Sequence, residues 1–205
     1  MLYWKVRKSN NMVNAKQVQQ LRDMTACGML ECKNALEEAG GDLEKAVESL
    51  RKSGAAKAVK KSEREASQGI IESYIHAGGK VGVLLMLHCE TDFVAKNEMF
   101  RQLAHDIALH IAGMNPMYVS ADDIPREVKE NERRIYGEQF AGSGKPAEIV
   151  DKIIEGKIQN YAAEIALLEQ PFVKDQDKKI KDVINEYIAK LGENIQVGDF
   201  VRYKI

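Results

Sequence analysis

The stretch Gly69-Ile70-Ile71-Glu72-Ser73-Tyr74-Ile75-His76-Ala77-Gly78-Gly79-Lys80-Val81-Gly82-Val83-Leu84-Leu85-Met86-Leu87 decides the fold. Two β-rich runs flank the loop Ala77-Gly78-Gly79-Lys80, which is the pattern of a hairpin. The second run is apolar at both alternating sets of positions, and this predicts a central strand covered on both faces. A short polar segment follows, then Phe100, Leu103, Ala104, Ile107, Ala108 and Ile111 at helical spacing. Asn115-Pro116 ends that helix. Strands that give way to a long amphipathic helix predict an α+β core, an antiparallel sheet with packed helices.

Upstream, residues 1–13 show neither period and read as an unpatterned tail, with Met12 as a second start. Asn14 caps a helix that carries Val18, Leu21 and Met24 on one face, and Gly28 breaks it. Met29, Cys32, Leu36 and Ala39 mark a second helix, closed at Gly40-Gly41. Asp42 caps a third, with Leu43, Ala46, Val47 and Leu50 inward and a stop near Ser53-Gly54. Three short helices over 14–54 make a bundle whose small core is marginal in stability. From Arg51 to Arg64 six basic residues meet one acid, a local excess of +5 that leaves −6 for the rest of the chain. Its alanines favour helix but form almost no large apolar face, so residues 55–68 read as a basic helical linker, a solvated connector.

Downstream, a charged helix over 126–140 and an apolar-striped one from Ala147 to Leu168 surround a short polar loop, which predicts an antiparallel helical hairpin at about 126–168. Ile180, Val183, Ile184, Tyr187 and Ile188 mark a further helix from about Asp177 to Lys190. Ile195, Val197, Val201, Tyr203 and Ile205 then alternate as a strand whose phase slips at Gly198-Asp199, as a bulge requires. Residues 69–205 form the core domain.

Composition narrows the function. With 30 Lys and Arg against 31 Asp and Glu, the net charge of −1 lacks the excess of a dedicated nucleic-acid binder. No apolar run approaches the roughly 20 residues of a membrane span, and the first eight residues break up before a signal-peptide core forms, so a cytoplasmic protein is expected. Cys27, Cys32 and Cys89 are odd in number and poorly spaced for zinc, so no metal or other cofactor is expected. His76, His88, His105 and His110 are scattered and assemble no catalytic arrangement. An enzyme is not expected.

Gly142-Ser143-Gly144-Lys145 suggests a phosphate loop, but Gln139 and Pro146 occupy the positions where that motif needs glycine and Ser or Thr. It reads as a turn. Thr91-Asp92-Phe93-Val94 admits two readings. In one, Asp92 or Asn97 caps the next helix and Phe93 packs inward. In the other, Phe93 is an exposed aromatic wedge on a loop anchored by a buried strand.

The run Cys89-Glu90-Thr91-Asp92-Phe93-Val94-Ala95-Lys96-Asn97 resembles the signature of the elongation factor Ts family. Residues 21–36, Leu-Arg-Asp-Met-Thr-Ala-Cys-Gly-Met-Leu-Glu-Cys-Lys-Asn-Ala-Leu, resemble that family's opening module of ubiquitin-associated type. Leu167-Leu168-Glu169-Gln170-Pro171-Phe172-Val173-Lys174-Asp175 and Gly192-Glu193-Asn194-Ile195 supply two more matches. The resemblance spans about 14–205, with no counterpart for 1–12, and one core copy places the chain with the short, single-core form.

The resemblance implies a guanine-nucleotide exchange factor for elongation factor Tu. Asp92 and Phe93, in the loop Thr91 to Asn97, would enter between two helices of the partner and displace the elements that hold magnesium and phosphate. Arg22, Met29 and Leu30 of the first module would grip a neighbouring helix, and His76 would add a contact. A non-covalent homodimer, hence a two-to-two complex, follows from the short form, with no membrane and no specific nucleic acid as partner. The alternatives are an adaptor whose ubiquitin-associated-like module binds other proteins without exchange, and RNA binding through the basic linker. The sequence departs from the family at Thr25-Ala26-Cys27-Gly28, where Thr-Gly-Ala-Gly is usual, and at Gly198-Asp199, where arginines are usual.

Overall fold

The run from Val81 to Cys89 is the middle strand of a three-stranded antiparallel sheet. The computed structural model describes residues 13–25, 27–141 and 144–205, with backbone alone at 55, 57 and 59. Strand β1 (Gln68–Ile75) pairs with β2 (Val81–Cys89) from Gln68 opposite Cys89 to Ile75 opposite Gly82. On its other side β2 pairs with the C-terminal strand, Ile195–Lys204, giving an α+β fold.

Side chains alternate across a strand, and only one face of β2 is buried. Val83, Leu85, Leu87 and Cys89 are sealed beneath helix Glu98–Met114, through Phe100, Leu103, Ile107 and Ile111, and beneath helix Ile180–Leu191, through Ile180, Ile184 and Ile188. The expectation of cover on both faces is therefore corrected. Leu84 is 48% exposed, and its neighbours Ile71, Ile75, Val201 and Tyr203 are exposed beside it.

In chain order the helices are α1 (Ala15–Thr25), α2 (Met29–Glu38), α3 (Leu43–Lys61), α4 (Asp92–Ala95), α5 (Glu98–Met114), α6 (Arg126–Phe140), α7 (Ala147–Ile165) and α8 (Ile180–Leu191). A small hairpin, β3 (Pro171–Phe172) and β4 (Asp175–Lys179), precedes α8, and the C-terminal strand is β5. The first three helices enclose a separate small core of Val18, Leu21, Cys32, Ala35, Leu36 and Ala46. Asp42 caps α3 by accepting from the N–H groups of Glu44 and Lys45, each at 3.1 Å.

Three details depart from the sequence reading. Helix α3 does not stop near Ser53-Gly54 but runs to Lys61. Its small residues dock it on the core: a Cβ on Gly54 would lie 3.4 Å from Ala189 of α8, and Ala58 is buried among core residues. The basic segment is thus a packed helix on one side and not simply a solvated connector. Helix α8 begins at Ile180 rather than Asp177, because Pro171 and Phe172 pair with Lys179 and Asp175. Met24, expected inward, is exposed.

Helices α6 and α7 form the expected hairpin, held by Arg133–Glu155 at 2.5 Å and by the Lys157 ammonium over the Tyr136 and Phe140 rings. Gly142 and Ser143 of its turn, like Ala26 of the first inter-helix loop, lie outside the described residues. In β5, Gly198 and Asp199 stand opposite the single residue Met86, which is the bulge that the phase slip predicts. A Cβ on Gly198 would come within 2.5 Å of the His88 imidazole, so a side chain there would have to displace that ring.

Candidate partner-binding site

Phe93 is 82% exposed, the highest value of any aromatic ring among the large exposed hydrophobic residues. The reading in which it packs inward does not hold. It stands on α4, a single turn between β2 and α5, and both ends of that turn are tied down. At the start, the Thr91 hydroxyl accepts from the Val94 N–H at 3.4 Å, so Thr91 is the N-cap. At the far end Asn97 caps α5, accepting from the Met99 N–H at 2.8 Å. Ala95 is buried and Val94 packs against the core, so the turn is pinned from beneath. What projects from the turn is the Phe93 ring, with the Asp92 carboxylate beside it.

Asp92 projects into solvent with Lys96 one turn on, Nζ to Oδ2 at 2.7 Å. The Lys96 hydrogen bond and charge hold its carboxyl below the usual carboxylate range. The pair leaves an ionised acid and a cation flanking an exposed ring. His76 lies in the β1–β2 turn, exposed, with Nδ1 3.0 Å from the Tyr74 hydroxyl.

In the first module Arg22, Met29 and Leu30 are all exposed, the last at 69%. Met24, which sequence reasoning assigned to the core, joins them on the surface. Met24 also lines a cleft with Cys27 and Leu50 on one side and Asn185, Ala189 and Lys190 of α8 on the other. Spacing alone does not place Met24: it lies in the last turn of α1, which ends at Thr25, and the residues that α1 buries are Val18 and Leu21. Among the described residues no group of three or more His, Cys, Asp or Glu is placed to hold a metal ion, and no helix is long and apolar enough to cross a membrane.

Residues missed by sequence reasoning as anchors of the loop are Glu193 and Asn194. The Glu193 carboxylate accepts from the Thr91 N–H at 3.0 Å and from the Thr91 hydroxyl at 2.6 Å. The Asn194 N–H donates to Glu90 Oε1 at 2.6 Å. No short-range signal could link residues more than 100 positions apart; the only clue is that both ends fall in stretches singled out as motifs.

These features define a class: an α+β protein with an N-terminal helical module and an exposed aromatic presented from a braced turn at the end of its sheet. A family model described as Elongation factor TS matches residues 6–205. The chain is 53% identical over 194 residues to elongation factor Ts of Thermosipho melanesiensis, covering 95% of this chain and 99% of that protein. It is 56% identical over 193 residues to elongation factor Ts of Coprothermobacter proteolyticus, with 94% and 98% covered, and 53% identical to that of Fervidobacterium nodosum over the same shares. The chain belongs to the elongation factor Ts family. The family match begins at residue 6, earlier than the position near 14 expected from the motifs.

Proposed function

We propose that this chain is a guanine-nucleotide exchange factor for elongation factor Tu in translation elongation. The observation that carries the reading is the presentation of Asp92 and Phe93 on a turn capped at both ends, in a chain of this family. The loop from Thr91 to Asn97 enters the nucleotide-binding domain of the partner and displaces the groups that hold magnesium and phosphate. GDP leaves, and the nucleotide-free partner stays bound until GTP arrives. No covalent bond is made or broken by this chain, and it requires no cofactor.

Arg22, Met29 and Leu30, on a module of ubiquitin-associated type, grip the partner, and His76 adds a contact from the hairpin turn. Residues 14–54 act as this module, 55–68 connect it, and 69–205 form the core. The open sheet face of Ile71, Ile75, Leu84, Met86, Val201 and Tyr203 suits a second copy of the chain. Such a dimer is non-covalent: Cys89 is fully buried, and burial pushes its thiol pKa up, with Glu193 adding to the shift. The working assembly is then two-to-two, in the cytoplasm.

The test is release of fluorescent GDP from elongation factor Tu. Addition of the purified chain accelerates release in stopped flow, with a rate that saturates as its concentration rises. A rate that stays at the spontaneous value refutes the proposal.

A further inference from the structure

The pairing of β2 with β5 ends where Cys89 meets Ile195. Beyond that pair, side-chain carboxylates join the two segments. Glu90 Oε1 accepts the Asn194 N–H at 2.6 Å, and the two oxygens of Glu193 accept the Thr91 N–H at 3.0 Å and the Thr91 hydroxyl at 2.6 Å. Each segment supplies one backbone donor and one acid to the other. Hydrogen bonds to ionised acceptors are about twice as strong as neutral ones, and a carboxylate that uses both oxygens also fixes direction.

The consequence falls on Phe93. The Thr91 hydroxyl donates to Glu193 and so presents its lone pairs to the Val94 N–H. The start of α4 is thereby tied to the loop between α8 and β5, and the phenyl ring leaves that turn two residues later. A third element joins the node. The Asn194 side-chain amide donates to the carbonyls of Arg64 at 2.7 Å and Ser62 at 3.4 Å, just past the end of α3. The Arg64 guanidinium also lies 3.6 Å from Glu90.

We propose that Glu193 is a positioning residue for exchange. It holds the Thr91-Asp92-Phe93 turn at the angle at which the ring enters the partner, and so sets the maximal rate of nucleotide release and not the affinity. The proposal rests on the exchange reading above. Affinity is carried by the gripping module, which engages whatever the angle of the ring. Orientation matters only as the nucleotide site is forced open, and an interaction realised there raises the plateau rate.

The experiment uses the full chain as wild type, Glu193→Gln, Phe93→Ala and the double variant, in fluorescent-GDP release from elongation factor Tu over a range of factor concentrations, with thermal melts of each. Glu193→Gln keeps the volume but turns an amide donor toward Thr91. Its plateau rate falls about tenfold, the half-saturating concentration stays within about twofold, and in the Phe93→Ala background it adds almost nothing. A normal plateau for Glu193→Gln beside a slowed Phe93→Ala overturns the positioning role and leaves the exchange reading intact. A normal plateau for Phe93→Ala overturns the wedge and the positioning role with it. A full further tenfold loss in the double variant also overturns the proposal, because Glu193 would then act on the fold at large. If Glu193→Gln fails to fold, Thr91→Val, which removes the hydroxyl that links Glu193 to the start of α4, is read by the same criteria.

Discussion

Phe93→Ala separates the presented ring from the fold that presents it. With 82% of the residue in solvent, truncation removes little burial and costs the fold within about 0.5 kcal/mol, as for surface substitutions generally. Seated in a partner, the ring would bury most of the 150–250 Å² that an aromatic offers; taking about 160 Å² at about 25 cal/mol per Å² gives roughly 4 kcal/mol as an upper bound. Part of that is gained before the nucleotide site opens, and only the share gained in opening accelerates release. We expect release to slow about 10- to 100-fold, equivalent to about 1.4–2.7 kcal/mol in the barrier. The assay is stopped-flow release of fluorescent GDP at saturating factor, beside a thermal melt and a direct binding titration. Unchanged release refutes the wedge; so does slowed release accompanied by a matching loss of folded protein.

Three further outcomes test the frame. Gly69 has φ +152°, and a Cβ there would sit 2.2 Å from the Leu87 carbonyl oxygen and 2.9 Å from His88 Cα, so Gly69→Ala should cost about 2–4 kcal/mol in urea unfolding; a loss under about 1 kcal/mol would contradict this packing. His110 is buried, accepts the Val173 N–H at Nδ1 (3.2 Å) and meets Gln170 Oε1 at Nε2 (2.9 Å), and burial lowers its pKa despite the Gln170 bond. Stability from the neutral ring is therefore complete above the unfolded value near 6.5 and is lost as pH falls below it, by at most about 1.4 kcal/mol per pH unit; a larger drop in urea midpoint from pH 7.5 to 5.5 in wild type than in His110→Gln would confirm this, whereas an equal or larger drop in His110→Gln would refute it. Leu84→Asp places a charge at the middle of the open sheet face, at a residue already 48% exposed, and should yield folded monomers in sedimentation velocity; a wild-type monomer, or a variant that stays dimeric, removes that face as the interface.

The elements with a clean period were legible. The hairpin of β1 and β2, helix α5, the α6–α7 pair and the bulge at Gly198-Asp199 all follow from alternation or helical spacing. Period does not say how many layers cover a sheet, so an apolar run predicts two covered faces for β2, which has one. Nor does it say where a helix of small residues ends: Ser53-Gly54 looked like a stop, but Gly54 is the point at which α3 lies close to Ala189 of α8. The polar run Asp175–Lys179 carries no strand pattern, and it becomes a strand only because Pro171 and Phe172 lie opposite it. At the candidate site the sequence could pose the choice between an inward and an outward Phe93 but not decide it. The decision lies in long-range contacts, above all the burial of Ala95 and the grip of Glu193 on Thr91.

An exchange factor must bind the nucleotide-free partner more tightly than the nucleotide-bound one, and by linkage the nucleotide weakens the factor equally. Raising release by 10³ to 10⁵ lowers a barrier by about 4–7 kcal/mol, which one ring worth at most about 4 kcal/mol cannot supply at the upper end. The remainder has to come from contacts made elsewhere and delivered to the same place. A loose linker between module and core would let each bind separately, adding affinity without strain on the nucleotide site. Helix α3 instead runs unbroken out of the module to Lys61, docks on the core through Gly54 and Ala58, and is followed by two carbonyls held by Asn194, the neighbour of the residue that clamps Thr91. Grip and wedge therefore share one frame, and on the proposed mechanism force applied at Met29 and Leu30 is borne at Phe93 because the joints between them are a packed helix and hydrogen bonds, those of Glu193 and Glu90 charge-assisted.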